Sequence, residues 1–267
     1  MVLSKVSILI PTYKPKDYII RCLQSIESQT LDKSLFKVYI ALNGSDKPFE
    51  AYLQESLKGF CFQSELFFLE LAGVSNARNF LIDHSREEFI VFVDDDDFIS
   101  DSYLEELVKV SDAENMGIAN VYNTSDSLDG IKESYIGKSF KKLDNITRSK
   151  YKARKYFSSP CAKMIHRSMI GNVRFDTKLA IGEDSLFMAQ ISNRVKAVRK
   201  ADGSACYYVY EREGSATRRK VHKSKEFKRI IYLLAEYTKM LLSFRYGALF
   251  VMTRIAATLV HGRKLLR

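Results

Sequence analysis

Residues 89–97 run Phe89-Ile90-Val91-Phe92-Val93 and then Asp94-Asp95-Asp96-Asp97. Five apolar residues read as a strand buried on both faces, and four carboxylates follow at its end. Such a cluster at the mouth of a buried sheet repels itself unless something neutralises it. Open α/β sheets bind ligands outside the carboxyl ends of their strands. A hard divalent cation, Mg²⁺ or Mn²⁺, suits such a site, because it prefers oxygen ligands and shares them with substrate phosphates. The competing reading is a solvated turn with an N-cap, where Ser100 or Asp101 starts the next helix; a cap needs one carboxylate, not four. A second acidic pair, Glu183-Asp184, follows Gly182. It suits the positive end of a helix, and it equally suits proton transfer.

The elements that would position these groups alternate along the first 120 residues. Strands are expected at 6–10, 38–42, 66–69, 89–93 and 116–121. Helices are expected at 17–30, 49–60, 76–84 and 102–110, the third with Ala77, Phe80 and Leu81 inward. Alternation at these lengths implies βαβ units and a largely parallel sheet. The loops at Pro11–Lys14, Asn43–Asp46 and Asp94–Asp97 would then share one edge. Residues 123–157 are polar and weakly periodic, and read as a variable, substrate-facing excursion. A helix is expected at 183–193, a strand at 205–210, and one or two helices at 224–267. The chain shows no internal repeat.

The 267 residues, 46% hydrophobic and 12% aromatic, allow a full globular core. No stretch has the length of a transmembrane helix, and the apolar start at 6–10 ends at Pro11, too short for a signal-peptide core. A cytoplasmic location is therefore expected. Cys22, Cys61, Cys161 and Cys206 form no CxxC pair and read as reduced core thiols. The net charge of +10 is unevenly placed. Residues 218–267 carry 13 Lys and Arg against 2 acids, a net of +11, which leaves 29 bases against 30 acids before them. The main body is near neutral and does not look like a nucleic-acid-binding surface.

Six segments occur in a telling order: Ile8-Leu9-Ile10-Pro11-Thr12-Tyr13, Asn43-Gly44-Ser45, Gly73-Val74-Ser75-Asn76-Ala77-Arg78-Asn79, Asp94–Asp97, Phe175-Asp176 with Gly182-Glu183-Asp184, and Tyr210-Glu211-Arg212-Glu213-Gly214-Ser215. Together they resemble the family 2 glycosyltransferases of GT-A fold, over roughly residues 4–217. The fold this implies is α/β, a Rossmann-like, mostly parallel sheet flanked by helices. A nucleotide-binding half would span 1–122 and an acceptor-side half 123–217, with a basic helical appendage at 218–267.

The resemblance also implies chemistry. Asp94 and Asp96 match the family's Asp-x-Asp, with Asp96 and Asp94 on Mn²⁺ or Mg²⁺ that stabilises the leaving diphosphate of a nucleotide sugar. Asp184, beside Glu183, matches the base that takes the acceptor's proton in one inverting displacement. Pro11, Thr12, Tyr13, Asn43, Arg78, Asp94, Asp95 and Arg212 match donor-binding positions, a UDP-sugar being the expected donor and a saccharide or polyprenyl-linked saccharide the acceptor. Lys163 lies in the stretch before the base and would border the acceptor. One departure stands out. Where the family usually has a base-binding aspartate after the second strand, this chain has Leu42, whose side chain cannot accept a hydrogen bond; Asn43 or Asp46 could substitute.

Two rival classes share these features. A nucleotidyltransferase usually carries a glycine-rich phosphate loop, and Pro11–Pro15 has none. A non-catalytic, membrane-associated scaffold is favoured only by Leu42. The tail has readings of its own. From Lys225 to Lys239 it is amphipathic, with Lys225, Lys228, Arg229, Glu236 and Lys239 on one side. It would pack on the main domain or lie on the anionic inner face of a membrane, and it could serve a dimer contact as readily as a membrane.

Overall fold

The computed structural model describes residues 5–44, 46–125, 130–211 and 223–266. In chain order the first half runs β1 (Val6–Thr12), α1 (Tyr18–Glu27), β2 (Phe36–Asn43), α2 (Lys47–Leu57), β3 (Gln63–Leu69), α3 (Val74–His84), β4 (Phe89–Phe92), β5 (Phe98–Ile99) and α4 (Tyr103–Val110). Then come β6 (Asn115–Ile118), β7 (Asn120–Thr124), β8 (Lys132–Glu133), α5 (Gly137–Lys142), β9 (Ile146–Thr147), β10 (Lys163–His166), α6 (Arg167–Ile170), α7 (Glu183–Ile191), β11 (Ala197–Lys200), β12 (Cys206–Tyr210), α8 (Lys223–Leu242) and α9 (Ala248–Leu266).

The main sheet has eight strands in the order β3-β2-β1-β4-β10-β6-β11-β9. The four strands β3-β2-β1-β4 are parallel, as the βαβ alternation requires; β10 then enters antiparallel between β4 and β6. Every residue of β1 and β4 is buried, which is why these strands read as unbroken apolar runs rather than as alternation. Helix α3 packs over β1 and β2, and α4 over β6 and β10.

The segment 116–121, expected as one strand, divides at Ala119. Its first part joins the main sheet as β6, while β7 joins a second sheet of order β5-β12-β7-β8. Ala119 donates its N–H to the Ala162 carbonyl and Asn120 donates to Ala205, one bond to each side of the division. Residues 130–157 also differ from expectation. They contain β8, α5, β9 and a 3-10 turn at Arg154–Phe157, and Phe140, Tyr156 and Phe157 are buried. Elements of two to six residues leave no period to read. Three cysteines are buried, but Cys61 is exposed in the turn between α2 and β3.

The tail forms two helices that pack against the main body. Leu233, Tyr237, Met240, Phe250 and Val251 are buried. Phe250 meets Phe157 edge-on at 5.3 Å. Arg229, expected among the outward cations, turns inward to the Ile181 carbonyl and to Glu226.

Behind the acidic strand end lies an aromatic cluster. Phe175 and Phe187 stack at 3.9 Å, and Phe92 meets both edge-on at 5.6 and 6.2 Å. Phe187 on α7 thereby couples the helix that carries Glu183 and Asp184 to β4. Truncation of a fully buried phenylalanine costs about 3–5 kcal/mol. Phe187→Ala is expected to lower unfolding free energy by that amount in urea titration; a loss under about 1 kcal/mol would show that the cluster packs loosely in solution.

Candidate active site

Strand register builds the site. Thr12 pairs with Leu42, and Leu9 with Phe92. The Val93 N–H donates to the Leu9 carbonyl at 3.1 Å. Thr12, Asn43 and Asp94 therefore leave the sheet at the same edge. Gly44 turns the chain there with φ +78°, and an added Cβ would come within 3.2 Å of both Tyr13 and Ala72, so only glycine fits the turn without strain.

The four aspartates have four different surroundings. The Asp94 carboxylate accepts from Arg78 at 2.8 Å, and its N–H donates to the Tyr207 hydroxyl. Asp95 is buried and accepts the Thr12 hydroxyl at 2.5 Å, tying the ends of β1 and β4 together. Asp96 is half-buried at the mouth, and its carbonyl accepts from Arg21 at 3.1 Å. Asp97 is buried and accepts from the Tyr207 hydroxyl and the Tyr210 N–H at 2.8 and 2.9 Å. Burial, then the charges of Asp94 and Asp96, push its pKa well above the usual carboxylate range.

Helix α3 is where the parts converge. The Gly73 N–H donates to the Asn43 side-chain oxygen. Asn79 exchanges two hydrogen bonds with the Phe175 backbone, at 2.7 and 2.8 Å. Between them Arg78, 3% exposed, forks: Nη2 binds Asp94 at 2.8 Å and Nη1 binds Asp184 at 2.6 Å. Burial alone would lower the Arg78 pKa, but the charges of Asp184 and Asp94 outweigh it and hold the guanidinium charged.

Asp184 and Glu183 open α7 behind Gly182, whose φ is +91°. The helix dipole favours carboxylates there. Burial nevertheless pushes the Asp184 pKa up to about 7, against the opposing pull of Arg78 and with help from Glu183 and Asp94. Its side chain keeps 26% of its surface exposed. The Glu183 pKa is also raised by burial, and its buried Oε2 has no hydrogen-bond partner among the described residues. Lys163 is buried on β10, where burial pulls its pKa down to about 8, and it donates to the carbonyls of Ser159 and Cys161.

Among the described residues no three His, Cys, Asp or Glu side chains form a metal cage. Asp96 at the mouth and Asp94, 38% exposed in its side chain, instead fit a cation bound by one or two carboxylates, with water and phosphate oxygens completing the shell.

The glycosyl transferase family 2 model matches residues 7–174, well over half of the chain. The chain belongs to glycosyl transferase family 2. The fold agrees with that of a solved structure: Staphylococcus aureus TarS 1–349 in complex with UDP-GlcNAc superposes with a TM-score of 0.73 and 19% identity, covering 96% of this chain and 71% of that one. In sequence, this family 2 chain is 20% identical to the S. aureus poly(ribitol-phosphate) beta-N-acetylglucosaminyltransferase TarS over 87% of its length and 40% of the relative's. It is 25% identical to glycosyltransferase GlyA of Streptococcus pneumoniae over 80% of its length and 32% of that relative's. The chain thus spans about a third to two-fifths of these curated relatives.

Of the residues that the family resemblance singles out, the structure brings Thr12, Asn43, Arg78, Asp94, Asp95, Asp96, Glu183 and Asp184 to one edge. Pro11 is buried in β1, and Tyr13 is 48% exposed beyond it. Arg212 lies outside the described residues. Leu42 is wholly buried in β2, and the Asn43 oxygen is engaged by Gly73; Asp46 remains exposed at the start of α2. Tyr207 and Arg21 were not foreseen. Tyr207 sits in an apolar strand pattern and Arg21 on an amphipathic helix, and neither carries a local sign of its partner.

Removing one member of a buried ion pair costs about 3–5 kcal/mol. Arg78→Met removes the counter-charge of two carboxylates whose side chains are 38% and 26% exposed, and is expected to lower stability by less than that, about 1–3 kcal/mol, in urea unfolding. A variant as stable as the wild type would mean that neither ion pair forms in solution.

Proposed function

We propose that this chain is a metal-dependent, inverting glycosyltransferase that moves a sugar from a UDP-sugar to a hydroxyl of a cell-wall polymer or related saccharide. The observation that carries the reading is the Asp94–Arg78–Asp184 bridge. One guanidinium holds a carboxylate of the donor end of the sheet and a carboxylate at the start of α7 at 2.8 and 2.6 Å, so two carboxylates with separate tasks face one cleft. UDP-GlcNAc in the TarS structure supports a UDP-sugar donor. The curated relatives that act on poly(ribitol-phosphate) support a polyol-phosphate or saccharide acceptor.

Asp184 acts as the base. Its carboxylate takes the proton of the acceptor hydroxyl as that oxygen bonds to the anomeric carbon. The bond from that carbon to the diphosphate breaks, the nucleoside diphosphate leaves with the electron pair, and the configuration inverts. Glu183, through its charge, helps to hold the Asp184 pKa up and so poises the base. Asp96 and Asp94 would hold Mn²⁺ or Mg²⁺, which would supply positive charge to the developing leaving group. Arg78 keeps Asp94 and Asp184 in register.

Two experiments test this. In a thermal-shift measurement, UDP with Mn²⁺ is expected to stabilise the wild type and Asp184→Asn alike and to have little effect on Asp96→Asn, because ligands that bind only the folded state raise its stability. No shift with any nucleotide diphosphate, together with no metal-stimulated hydrolysis of UDP-sugars, would overturn the reading. Transfer by Asp184→Asn is expected to fall roughly 10²–10⁴-fold, the usual worth of a general base.

The base works only when deprotonated, and burial has raised its pKa to about 7. Wild-type kcat/KM is therefore expected to climb with pH up to that value and level off above it. A profile flat from pH ~5 to ~8 would assign the proton to another group.

A further inference from the structure

The α8–α9 pair has two faces of opposite character. Its inner face is docked: the Tyr232 hydroxyl donates to Asp176 at 2.6 Å, Tyr237 bonds Ser185 at 3.1 Å, and Arg254 donates to the Arg154 carbonyl. Its outer face is apolar and open. Phe227 is 60% exposed, Ile231 51%, Leu259 50% and Val260 56%, and between the two helices they border a cleft of about 580 Å³. Leu249 and Met252 extend the stripe along α9, and Leu242 and Phe244 continue it at the turn between the helices, where Phe244 is 90% exposed.

The rim of this face is cationic. Lys223, Lys225, Lys228 and Arg245 are exposed. The two acids of the segment are already paired: Glu226, 3% exposed, with Arg229, and Glu236 with Lys239 at 2.6 Å. Contiguous exposed apolar surface of this kind marks an interaction site. No described helix is long and apolar enough to cross a membrane, so the stripe suits lying on a bilayer rather than spanning one. A second copy is a poor occupant, because two-fold pairing would set these cations against their own image.

We propose that the outer face of α8–α9 docks on an anionic lipid bilayer, with its apolar stripe among the acyl chains and its lysines at the headgroups. The docked face of α8 meets the turn that carries the acidic pair. A Cβ added to Gly182 would lie 3.0 Å from Leu233 and 3.2 Å from Arg229. One helix thickness, about 10 Å, therefore separates the Gly182–Asp184 turn from the lipid. A lipid-borne acceptor would reach Asp184 across that distance. This consequence rests on the glycosyl-transfer reading, whereas the docking does not.

The test is co-sedimentation of the full chain with vesicles of phosphatidylcholine alone and of phosphatidylcholine mixed with phosphatidylglycerol. Two paired variants, Phe227→Ser with Ile231→Ser and Lys225→Gln with Lys228→Gln, are run alongside, with melting curves to confirm folding. Binding is expected to the anionic vesicles over the neutral ones and to weaken with salt. Removing the two lysines should weaken it roughly 30-fold, at ~1 kcal/mol per charge near the surface. The apolar pair should weaken it at least as much while melting like the wild type, since both side chains are exposed. Equal partition into both vesicle types, or into neither, would overturn the proposal. So would a wild type that is dimeric without lipid and becomes monomeric in the Phe227/Ile231 variant, which would assign the face to a second copy.

Discussion

The Arg78 guanidinium is the interaction on which the rest of the site depends. Asp94 at the end of β4 and Asp184 at the start of α7 are 90 residues apart in the chain, and both close onto it. Net stability from a buried ion pair is uncertain in general, because desolvation offsets attraction; its surer effect is geometric. A planar fork with two hydrogen-bonded carboxylates admits few arrangements. The neighbours of Arg78 serve the same end: Asn79 clips the Phe175 backbone on one side, and Gly73 takes Asn43 on the other. The first two turns of α3 thereby set the donor edge of the sheet, the helix with the acidic pair and the spacing between them.

Four successive aspartates at a buried strand end are tolerable because each meets a different environment. Asp94 is neutralised by an arginine. Asp95 and Asp97 are absorbed into the fold by a threonine hydroxyl and by Tyr207 with the Tyr210 backbone. Asp96 stays at the mouth. Burial raises the Asp97 pKa, which lessens the repulsion inside the cluster. The two carboxylates that anchor strands, Asp95 and Asp97, are buried, and Asp94 and Asp96 are partly open.

The tail packs on the main body through its inner face, and its outer face is left open. Helix α8 buries Leu233 and Tyr237 against the body and leaves Phe227 and Ile231 outside. An amphipathic helix ordinarily buries its apolar stripe and exposes polar residues. Here the apolar arc is too wide for one contact, and the excess lies in the open with cations at its border. Gly182 suits the inner contact: its left-handed φ strains any other residue, and a Cβ there would crowd Leu233 and Arg229.

By itself, the sequence determined the alternating elements of the first half, the buried parallel strands and the acidic strand end, because these are local: an apolar run, a helical period and four adjacent carboxylates can be read without knowing their neighbours. The ordered family segments likewise indicated which residues to gather at one edge. Only the tertiary structure decided how they are used. It alone assigned Asp95 to Thr12 and Asp97 to Tyr207, joined Arg78 to Asp184, divided residues 116–121 between two sheets, turned Arg229 inward and built short elements from residues 130–157. Each of these depends on a partner far along the chain or on an element too short to carry a period. Pairing of that kind is set by where the sheet's crossovers bring segments together, and no local pattern records it.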